Sequence, residues 1–375
     1  MKLLNLTFSL AAMSLIAVMI FVASFDVNAQ SKTTLSTRKT EKKETKKPQT
    51  KVLNNANIRK PSNSSTTQQT NTTTVYAAGK ENGFAVLWTN GVAQILNSAC
   101  AGEANSVYVS GNDVYVLYTV EINQIIPHIW KNGNITRLNV ETGKNYFLNR
   151  IFVSGNDVYA VGREQNTDGT GSKIVLWKNN VKQYITDGSQ SAHPVSLYVS
   201  NNKVYILGRE KDPSSSTMIS KLWVLGETFP LVYPESFTAY SIFVVNNDIY
   251  VAGSDYPTAT VRVNNNLITY PTPNSCATGI FVSGNDVYVA GNVIKNPTYK
   301  KYVSVWKNGV QTDYTDGTLN TEPSSIFVLG NDIYVSGNEY NDANKSAAKI
   351  WKNGQVTLSI GDGTKHTEVY SIYVK

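Results

Sequence analysis

Cysteine and histidine are scarce in this sequence, with two and three residues among 375. Two cysteines are too few for a disulfide framework, and Cys100 and Cys276 could pair only if the fold brought their Cα atoms within about 7 Å. The three histidines, His128, His193 and His366, show neither the HxH nor the HExxH spacing of a metal site. The sequence therefore predicts no metal, no cofactor and no catalytic residue.

An excess of positive charge is confined to one segment. The formal net charge is +7, but residues 30–72 hold ten Lys or Arg against two acids, with almost no aromatic residues. Such a composition cannot bury enough apolar surface to offset the entropy of ordering, so we expect a disordered basic linker. It is interpreted as a soluble spacer, with contact to an anionic surface as the alternative.

The rest of the chain, from residue 73, is close to neutral. It holds 23 Lys or Arg and 24 Asp or Glu. A nucleic-acid-binding domain is expected to carry a basic patch or stripe. The folded part is therefore predicted to have no nucleic-acid partner.

The sequence contains only one long apolar run, over about residues 8–25. The positively charged Lys2 precedes this run, and a small-x-small sequence at residues 27–29 follows it. This order is typical of a secretory signal peptide, so residues 1–29 are predicted to be removed on export. The mature chain is then secreted, periplasmic or at the cell surface. An uncleaved membrane anchor is the alternative, because roughly 18 apolar residues can just span a bilayer.

What the sequence has in abundance is a repeat. A consensus SIFVSGNDVYVAG is followed by a variable stretch, then by VWKNGV and a short strand. The tyrosine of the second strand recurs as Tyr76, Tyr115, Tyr159, Tyr205, Tyr250, Tyr288 and Tyr334. The WKNG element recurs at Trp88, Trp130, Trp177, Trp223, Val263, Trp306 and Trp351.

Each unit predicts four short strands, which we call a (SIFV), b (DVYVAG), c (VLWK) and d (after KNG). Gly-Asn between a and b, and Asn-Gly between c and d, are typical two-residue hairpin turns. Units of roughly 40–50 residues with four antiparallel strands are typical of propeller blades. We therefore predict an all-β fold over residues 73–375, a seven-bladed β-propeller of four-stranded blades.

The two ends of the repeat are complementary. It opens with a b strand at residues 75–79 that lacks its a strand, and it ends with an a strand at residues 371–374 that lacks its b strand. The C-terminal strand is therefore predicted to join the first blade, which closes the ring and removes exposed sheet edges. The unit resembles the repeats of uncharacterised secreted bacterial seven-bladed propeller proteins with YWKNG and SIFVSGSDVYVAG-like blades. That resemblance covers residues 73–375 and implies the fold and export, without catalytic residues.

Most conspicuous side chains have a structural interpretation. The six tryptophans share one c-strand position, which indicates packing between blades. Asp187, Asp316 and Asp362 lack the dense oxygen ligands of calcium loops and are interpreted as turn residues. His128, beside Trp130, is interpreted as structural. The Asp of SGND has the same turn interpretation, at Asp113, Asp157, Asp248, Asp286 and Asp332.

Function is expected on the face formed by the b–c and d–a connections. These connections vary between units, whereas the a–b and c–d turns are short and nearly constant, and variable loops on a rigid scaffold commonly carry function. The candidate ligand-binding residues on this face are Arg150, His193, Tyr240, Glu322, His366 and Glu368.

These candidates differ in their expected positions. Arg150 replaces the small residue that opens other a strands, and it could contact a ligand carboxylate or pair with Glu103 or Glu141. His193 and His366 are predicted to lie in d–a loops. Tyr240, Glu322 and Glu368 are predicted to precede a strands.

Together these features favour a monomeric, exported, non-enzymatic recognition module that binds a glycan, a peptide or an envelope protein. The alternative is a propeller-fold carbohydrate-active enzyme, a glycoside hydrolase or lyase. Such an enzyme would need carboxylates or a His/Glu set at the channel mouth, for which Glu322, Glu368 and His366 are available. A purely structural envelope protein is the third hypothesis.

Overall fold

The computed structural model describes residues 73–375, which form seven four-stranded antiparallel sheets. The signal peptide and linker predicted for residues 1–72 lie outside the described residues. No helix in residues 73–375 is long and apolar enough to cross a bilayer.

The strands of each blade run in the order a, b, c, d outward from a central channel. The a strands of the first to seventh blades are β28 (Thr367–Val374), β4 (Ala104–Ser110), β8 (Lys144–Ser154), β12 (Ala192–Ser200), β16 (Phe237–Val245), β20 (Ser275–Ser283) and β24 (Asn320–Leu329). The b strands are β1 (Val75–Glu81), β5 (Asp113–Glu121), β9 (Asp157–Asn166), β13 (Lys203–Lys211), β17 (Asp248–Asp255), β21 (Asp286–Lys295) and β25 (Asp332–Tyr340).

The outer half of each blade is shorter and more variable. The c strands are β2 (Phe84–Thr89), β6 (Ile125–Lys131), β10 (Lys173–Lys178), β14 (Met218–Val224), β18 (Thr258–Val263), β22 (Lys300–Lys307) and β26 (Ser346–Lys352). The d strands are β3 (Val92–Ile95), β7 (Asn134–Arg137), β11 (Val181–Tyr184), β15 (Leu231–Val232), β19 (Asn266–Pro273), β23 (Val310–Asp313) and β27 (Gln355–Ile360). The predicted seven-bladed propeller is confirmed.

The KNG and SGND turns act together within a blade. In the second blade Asn132 has a φ of 46° and its side chain accepts a hydrogen bond from the backbone of Val114 at 2.9 Å. The same side chain donates to Asp113 at 2.7 Å, and Lys131 pairs with that carboxylate at 2.8 Å. The interpretation of the SGND aspartate as a turn residue is confirmed.

Packing between blades comes from the repeated tryptophan. Trp351 of the seventh blade, for example, packs in a cluster with Tyr288 and Ala290 of the sixth. Five of the six tryptophans are buried: Trp88, Trp130, Trp177, Trp306 and Trp351. Trp223 is half-buried against the third and fourth blades.

The ring closes through the two chain segments that the repeat leaves incomplete. β28 pairs with β1 in antiparallel register, with Val75 opposite Val374 and Ala77 opposite Ile372. Thr74 and Lys375 add two backbone hydrogen bonds, of 2.7 and 2.9 Å. The predicted closure by the C-terminal strand is confirmed.

Every a strand contains a β-bulge that the repeat did not reveal. The pairing of a with b skips one residue directly before the position that opens SIFV. The bulged residues are Asn105, Asn149, Val195, Tyr240, Thr278, Ser324 and Tyr370. Because a bulge bends a strand without ending it, pairing continues several residues upstream.

The consensus glycine of VAG lies on the b strand opposite this bulge. A Cβ on Gly79 would lie 1.9 Å from the carbonyl oxygen of Glu368, and one on Gly291 would lie 2.0 Å from that of Cys276. Six b strands therefore carry glycine here because the neighbouring backbone is too close for a side chain.

We expect deletion of residues 371–375 to lower the melting temperature of the protein markedly, because it exposes an unpaired blade edge along β1. Thermal unfolding measures the change. The substitution Val181→Lys, on an exposed outer strand, is the control and should leave the melting temperature unchanged. Equal melting of truncated and full chains would show that β28 does not hold the ring.

We expect Gly291→Ala to destabilise the fold by about 1–3 kcal/mol, since the new methyl group overlaps a backbone carbonyl. Gly279→Ala is the matched control, because its Cβ would lie 3.1 Å from the Ile326 side chain and no closer than 3.7 Å to any backbone atom. Denaturant unfolding compares the two variants. Equal losses would contradict the role given to the bulge.

Candidate functional site

The bulges set the layers of side chains along the channel. In each blade, the residue three positions before the opening residue of SIFV lies at the b–c/d–a end of the a strand. We call these seven residues the mouth layer. It consists of Glu103, Phe147, His193, Thr238, Cys276, Glu322 and Glu368. Most of these residues pair with the b-strand residue that follows the consensus glycine, which brings Arg163 and Arg209 to the same level.

This geometry corrects four sequence-based placements. His193 was predicted in a d–a loop but lies in β12, because pairing continues through the bulge. Tyr240, Glu322 and Glu368 were predicted to precede their strands, yet they lie in β16, β24 and β28. His366 lies in the loop before β28, as predicted.

Two arginines form a cationic arc with His193 across the third and fourth blades. Nη1 of Arg163 lies 2.8 Å from Nδ1 of His193, and its guanidinium lies 4.3 Å over the ring of Phe147. Arg209 donates from Nη2 to the carbonyl of Ala239 at 3.0 Å. We call Arg163, His193 and Arg209 the cationic arc.

The cationic arc has no acid of its own. The Nε atoms of Arg163 and Arg209 are buried without a partner in the structure as described. In residues 73–375 the only arginine in an ion pair is Arg262, with Asp255. The cationic arc is therefore an excess of positive charge on one side of the mouth.

His193 is kept neutral by its surroundings. Burial, with the added charges of Arg163 and Arg209, lowers the pKa of His193 to about 4. At neutral pH its Nδ1 therefore accepts the hydrogen bond that Arg163 donates.

The opposite side of the mouth is acidic, but its carboxylates are engaged. Glu103 pairs with Lys80 at 2.7 Å, and Glu322 pairs with Lys301. Glu368 accepts a hydrogen bond from the Tyr370 hydroxyl at 2.7 Å. These three glutamates belong to the second, seventh and first blades, which are neighbours around the ring.

Below the mouth, the opening residues of SIFV line the channel. This channel ring consists of Ser106, Arg150, Ser196, Ser241, Gly279, Ser325 and Ser371. Arg150 reaches across the second blade, where its Nη1 donates to the hydroxyl of Ser371 at 3.4 Å. Burial lowers the pKa of the Arg150 guanidinium from its usual value.

The proposed pairing of Arg150 with an acid is wrong. Glu103 pairs with Lys80 and Glu141 pairs with Lys182, so neither alternative partner is used. Arg150 is half-buried in the channel wall, so its guanidinium is partly removed from water without a carboxylate to offset that cost. Serine occupies the same position in five other blades, so packing of the ring does not require the charge.

Two residues further along each a strand, seven aromatic rings close a circle. This aromatic collar consists of Tyr108, Phe152, Tyr198, Phe243, Phe281, Phe327 and Tyr373. Each ring is adjacent to the next, with centroid separations between 4.7 and 5.3 Å. The channel ring and the aromatic collar line one cavity of about 260 Å³.

His366 lies away from the channel, at the rim between the seventh and first blades. Its Nδ1 is 3.3 Å from the Ser346 hydroxyl. It lines a rim pocket of about 410 Å³ together with Lys80, Lys345 and Glu368. The structure thus brings His366 near Glu368 and separates it from His193.

Tyr240 and Cys276 lie side by side between the fourth and sixth blades. The Tyr240 ring is 4.9 Å beneath the guanidinium of Arg209, and burial raises the pKa of the Cys276 thiol to about 11. Cys276 lies in β20, and both Cys276 and Cys100 are free. The pairing that the sequence left open is therefore absent in residues 73–375.

The TDG and GDG aspartates form local turns. Asp187, Asp316 and Asp362 each accept the backbone N–H two residues on, at 2.8 to 2.9 Å. No cluster of three or more His, Cys, Asp or Glu suited to a metal ion occurs within residues 73–375. His128 contacts the carbonyl of Ile126 at 3.1 Å and packs on Tyr118, which fits its structural interpretation.

The sequence reasoning missed Arg163, Arg209 and the aromatic collar. The two arginines follow the consensus glycine of b, where other units carry Lys80, Thr119, Ser254, Asn292 or Asn338. The collar is aromatic in all seven units. Comparison of single repeat columns could have found the two arginines; it would also have shown the aromatic column, but not that this column lines the channel.

We expect the stability of the protein to depend on His193 between pH 6.5 and 4. In this window the unfolded chain takes up a proton that folded His193 refuses, so stability falls as the pH is lowered. Because the residue is only half-buried, the loss should be on the order of 1 kcal/mol. The substitution His193→Thr, which introduces the residue that the fifth blade has at this position, should abolish this dependence. Denaturant unfolding at pH 7 and 4 measures the difference; equal losses in both proteins would contradict the neutral state.

Comparison with known proteins adds information on the fold. No protein-family model and no curated protein matches the chain. Among solved structures it is similar to a puromycin hydrolase, with a TM-score of 0.52 and 11% identity over 79% of this chain and 52% of the other. It is also similar to an acylaminoacyl peptidase in complex with Z-Gly-Gly-Phe-chloromethyl ketone, with a TM-score of 0.49 and 11% identity over 77% of this chain and 51% of the other.

A Trypanosoma rangeli sialidase in complex with 2,3-difluorosialic acid gives a TM-score of 0.46 and 8% identity, over 69% and 55% of the two chains. The chain thus spans about half the length of the solved structures it matches. At such identities the likeness to the puromycin hydrolase shows a shared fold, and activity has to be argued from the channel itself.

Proposed function

We propose that this protein is an exported, non-enzymatic recognition module whose channel mouth binds a ligand that presents a carboxylate. One observation carries the proposal: Arg150 lines the channel, Arg163 and Arg209 lie beside His193 at the mouth, and none of the three has a carboxylate partner in residues 73–375. A guanidinium group binds a carboxylate through two parallel hydrogen bonds, and such charge-assisted bonds are among the stronger ones in proteins.

The contrast with the rest of the charged surface supports this assignment. Eleven of the eighteen lysines in residues 73–375 are in ion pairs with acids, as in the pairs of Lys131 with Asp113 and of Lys307 with Asp286, whereas four of the five arginines are not. Three of those four arginines lie at the mouth or in the channel below it. A carboxylate entering there replaces a partner that the fold does not provide.

The predicted export signal and basic linker suggest where such a ligand is met. Outside the cytoplasm, carboxylates are offered both by acidic glycans and by the free ends of peptides. The shared chemistry is the carboxylate, and the near-neutral charge of the folded part gives no reason to invoke nucleic acid.

A second candidate function rests on the glutamates of the acidic side. Glu322 and Glu368, from neighbouring blades, are the residues that a carbohydrate-active propeller enzyme would use. Glu322 is paired with Lys301, and Glu368 accepts from Tyr370, so both are engaged. Release of reducing ends from acidic polysaccharides, abolished by Glu322→Gln and Glu368→Gln, would establish the enzyme.

The recognition module is tested on an array that carries acidic glycans and peptides with free or amidated C-termini. We expect retention of carboxylated ligands, and at least tenfold weaker binding of their methyl esters or amides. Arg163→Ser should weaken binding at least tenfold. Binding should also weaken as salt is raised, because part of the attraction is screened.

Arg137→Ser is the matched control, since Arg137 is exposed at the end of an outer strand. It should bind as the unsubstituted protein does. Equal binding of neutral and carboxylated ligands, or an Arg163→Ser variant with undiminished affinity, would refute the proposed function. Retention of glycans alone or of peptides alone identifies the source of the carboxylate.

A further inference from the structure

The channel cavity combines two kinds of surface in one small space. Its upper layer is the channel ring, with hydroxyl groups and the guanidinium of Arg150. Its lower layer is the aromatic collar. The two layers lie two residues apart on each a strand, which is roughly 6–7 Å. A ligand that fills the cavity therefore meets a positive charge and an apolar surface at a fixed spacing.

Arg150 determines the charge of the ligand. Its half-buried side chain lines the channel, and the Ser371 hydroxyl at 3.4 Å is its one side-chain hydrogen-bond partner in the described chain. Five other blades place serine at this position, so the ring closes without a charge there. A cation would be repelled, whereas an anion would supply the missing counter-charge.

The aromatic collar determines the other half of the ligand. Seven centroids spaced 4.7 to 5.3 Å apart on a circle lie about 6 Å from its centre. A planar ring on the channel axis would therefore sit within the separation range of aromatic pairs to all seven residues at once. Smaller groups would lose these contacts.

Polar occupants fit the collar less well. Four of its seven members are phenylalanine and offer no hydrogen bond. Burial raises the pKa of Tyr108 to about 12 and also raises that of Tyr373, so their hydroxyls stay neutral. A sugar ring would find only the hydroxyls of Tyr108, Tyr198 and Tyr373 there, so most of its own hydroxyls would lack partners, which is unfavourable.

We propose that the channel binds an aryl carboxylate, with its carboxylate on Arg150 and its ring in the aromatic collar. The spacing of the two layers suits a carboxylate joined to the ring by two or three carbons. A peptide with a free C-terminal aromatic residue has this arrangement, and so does a free arylalkanoic acid. The inference rests on the proposed function, whose ligand class it narrows.

Calorimetric titration of the purified protein with 3-phenylpropionate tests the inference. Three compounds serve as comparisons. Propionate lacks the aromatic ring, 3-phenylpropanol lacks the charge, and 3-phenylpropylamine carries a positive charge in place of the negative one. We expect each to bind at least tenfold more weakly than 3-phenylpropionate. A peptide ending in Phe, with a free or an amidated C-terminus, distinguishes the peptide source from the free acid.

Two variants locate the site. Arg150→Ser should weaken binding of 3-phenylpropionate at least tenfold, with an unchanged or higher melting temperature, and Arg137→Ser is its control. Phe243→Ala should weaken binding about three- to tenfold, and Phe229→Ala, which changes an exposed phenylalanine, should not.

The outcomes separate this inference from the proposed function. Equal binding of 3-phenylpropionate and 3-phenylpropanol, or undiminished binding to Arg150→Ser, overturns the channel site. If carboxylated ligands on the array still depend on Arg163 in that case, the mouth remains a recognition site and only the channel ligand is wrong. Loss of both leaves neither proposal standing.

Discussion

The pairing of β28 with β1 is the constraint on which the structure depends. Without this pairing the first blade would lack its a strand, and the cluster that packs the seventh blade against the first would lose the residues that β28 contributes. The antiparallel register from Val75–Val374 onward joins the two ends of the chain into one blade. Once the ring is closed, the position of every a strand around the channel is determined, so residues far apart in sequence share one cavity.

Within that ring, the bulge determines what reaches the mouth. Without it, the alternation of side chains would place the residue two before the opening position of SIFV on the channel side, whereas the extra residue places the one three before it there, such as His193 or Glu322. With it, pairing extends upstream, and the mouth layer is held by backbone hydrogen bonds. The arginines of the cationic arc are therefore attached to strands, which hold them more firmly than a loop could. Such preorganisation favours binding because little order has to be gained when a ligand arrives.

The sequence was informative about the repeat and much less so about the site. Blade number, strand order, hairpin turns and closure could all be predicted, since each depends on local patterns that recur seven times. The bulge could not be predicted, because only two sequence features accompany it: a glycine in the b strand, and a bulged residue in the a strand whose type varies between blades, from Asn105 to Tyr240. Consensus reasoning also treats a column that is always aromatic as core, although the rings of Phe243 and Tyr373 line the channel. Arg150 was found because it breaks its column, but its partner could not be named from spacing alone.

The third blade shows how the unpaired arginines are supported. It contains the longest of the strands in residues 73–375, the eleven-residue β8, and a buried carboxylate, Glu164, directly after Arg163. Glu164 accepts hydrogen bonds from Tyr146 at 2.7 Å and from Lys182 at 3.0 Å, and Tyr184 lies within 3.0 Å of it. A satisfied buried network of this kind makes a blade rigid. The Glu164 carboxylate is hydrogen-bonded to side chains on the outer side of the blade, so it does not neutralise Arg163. Local rigidity and an unpaired positive charge at the mouth thus come from the same arrangement, and the proposed carboxylate site would use both.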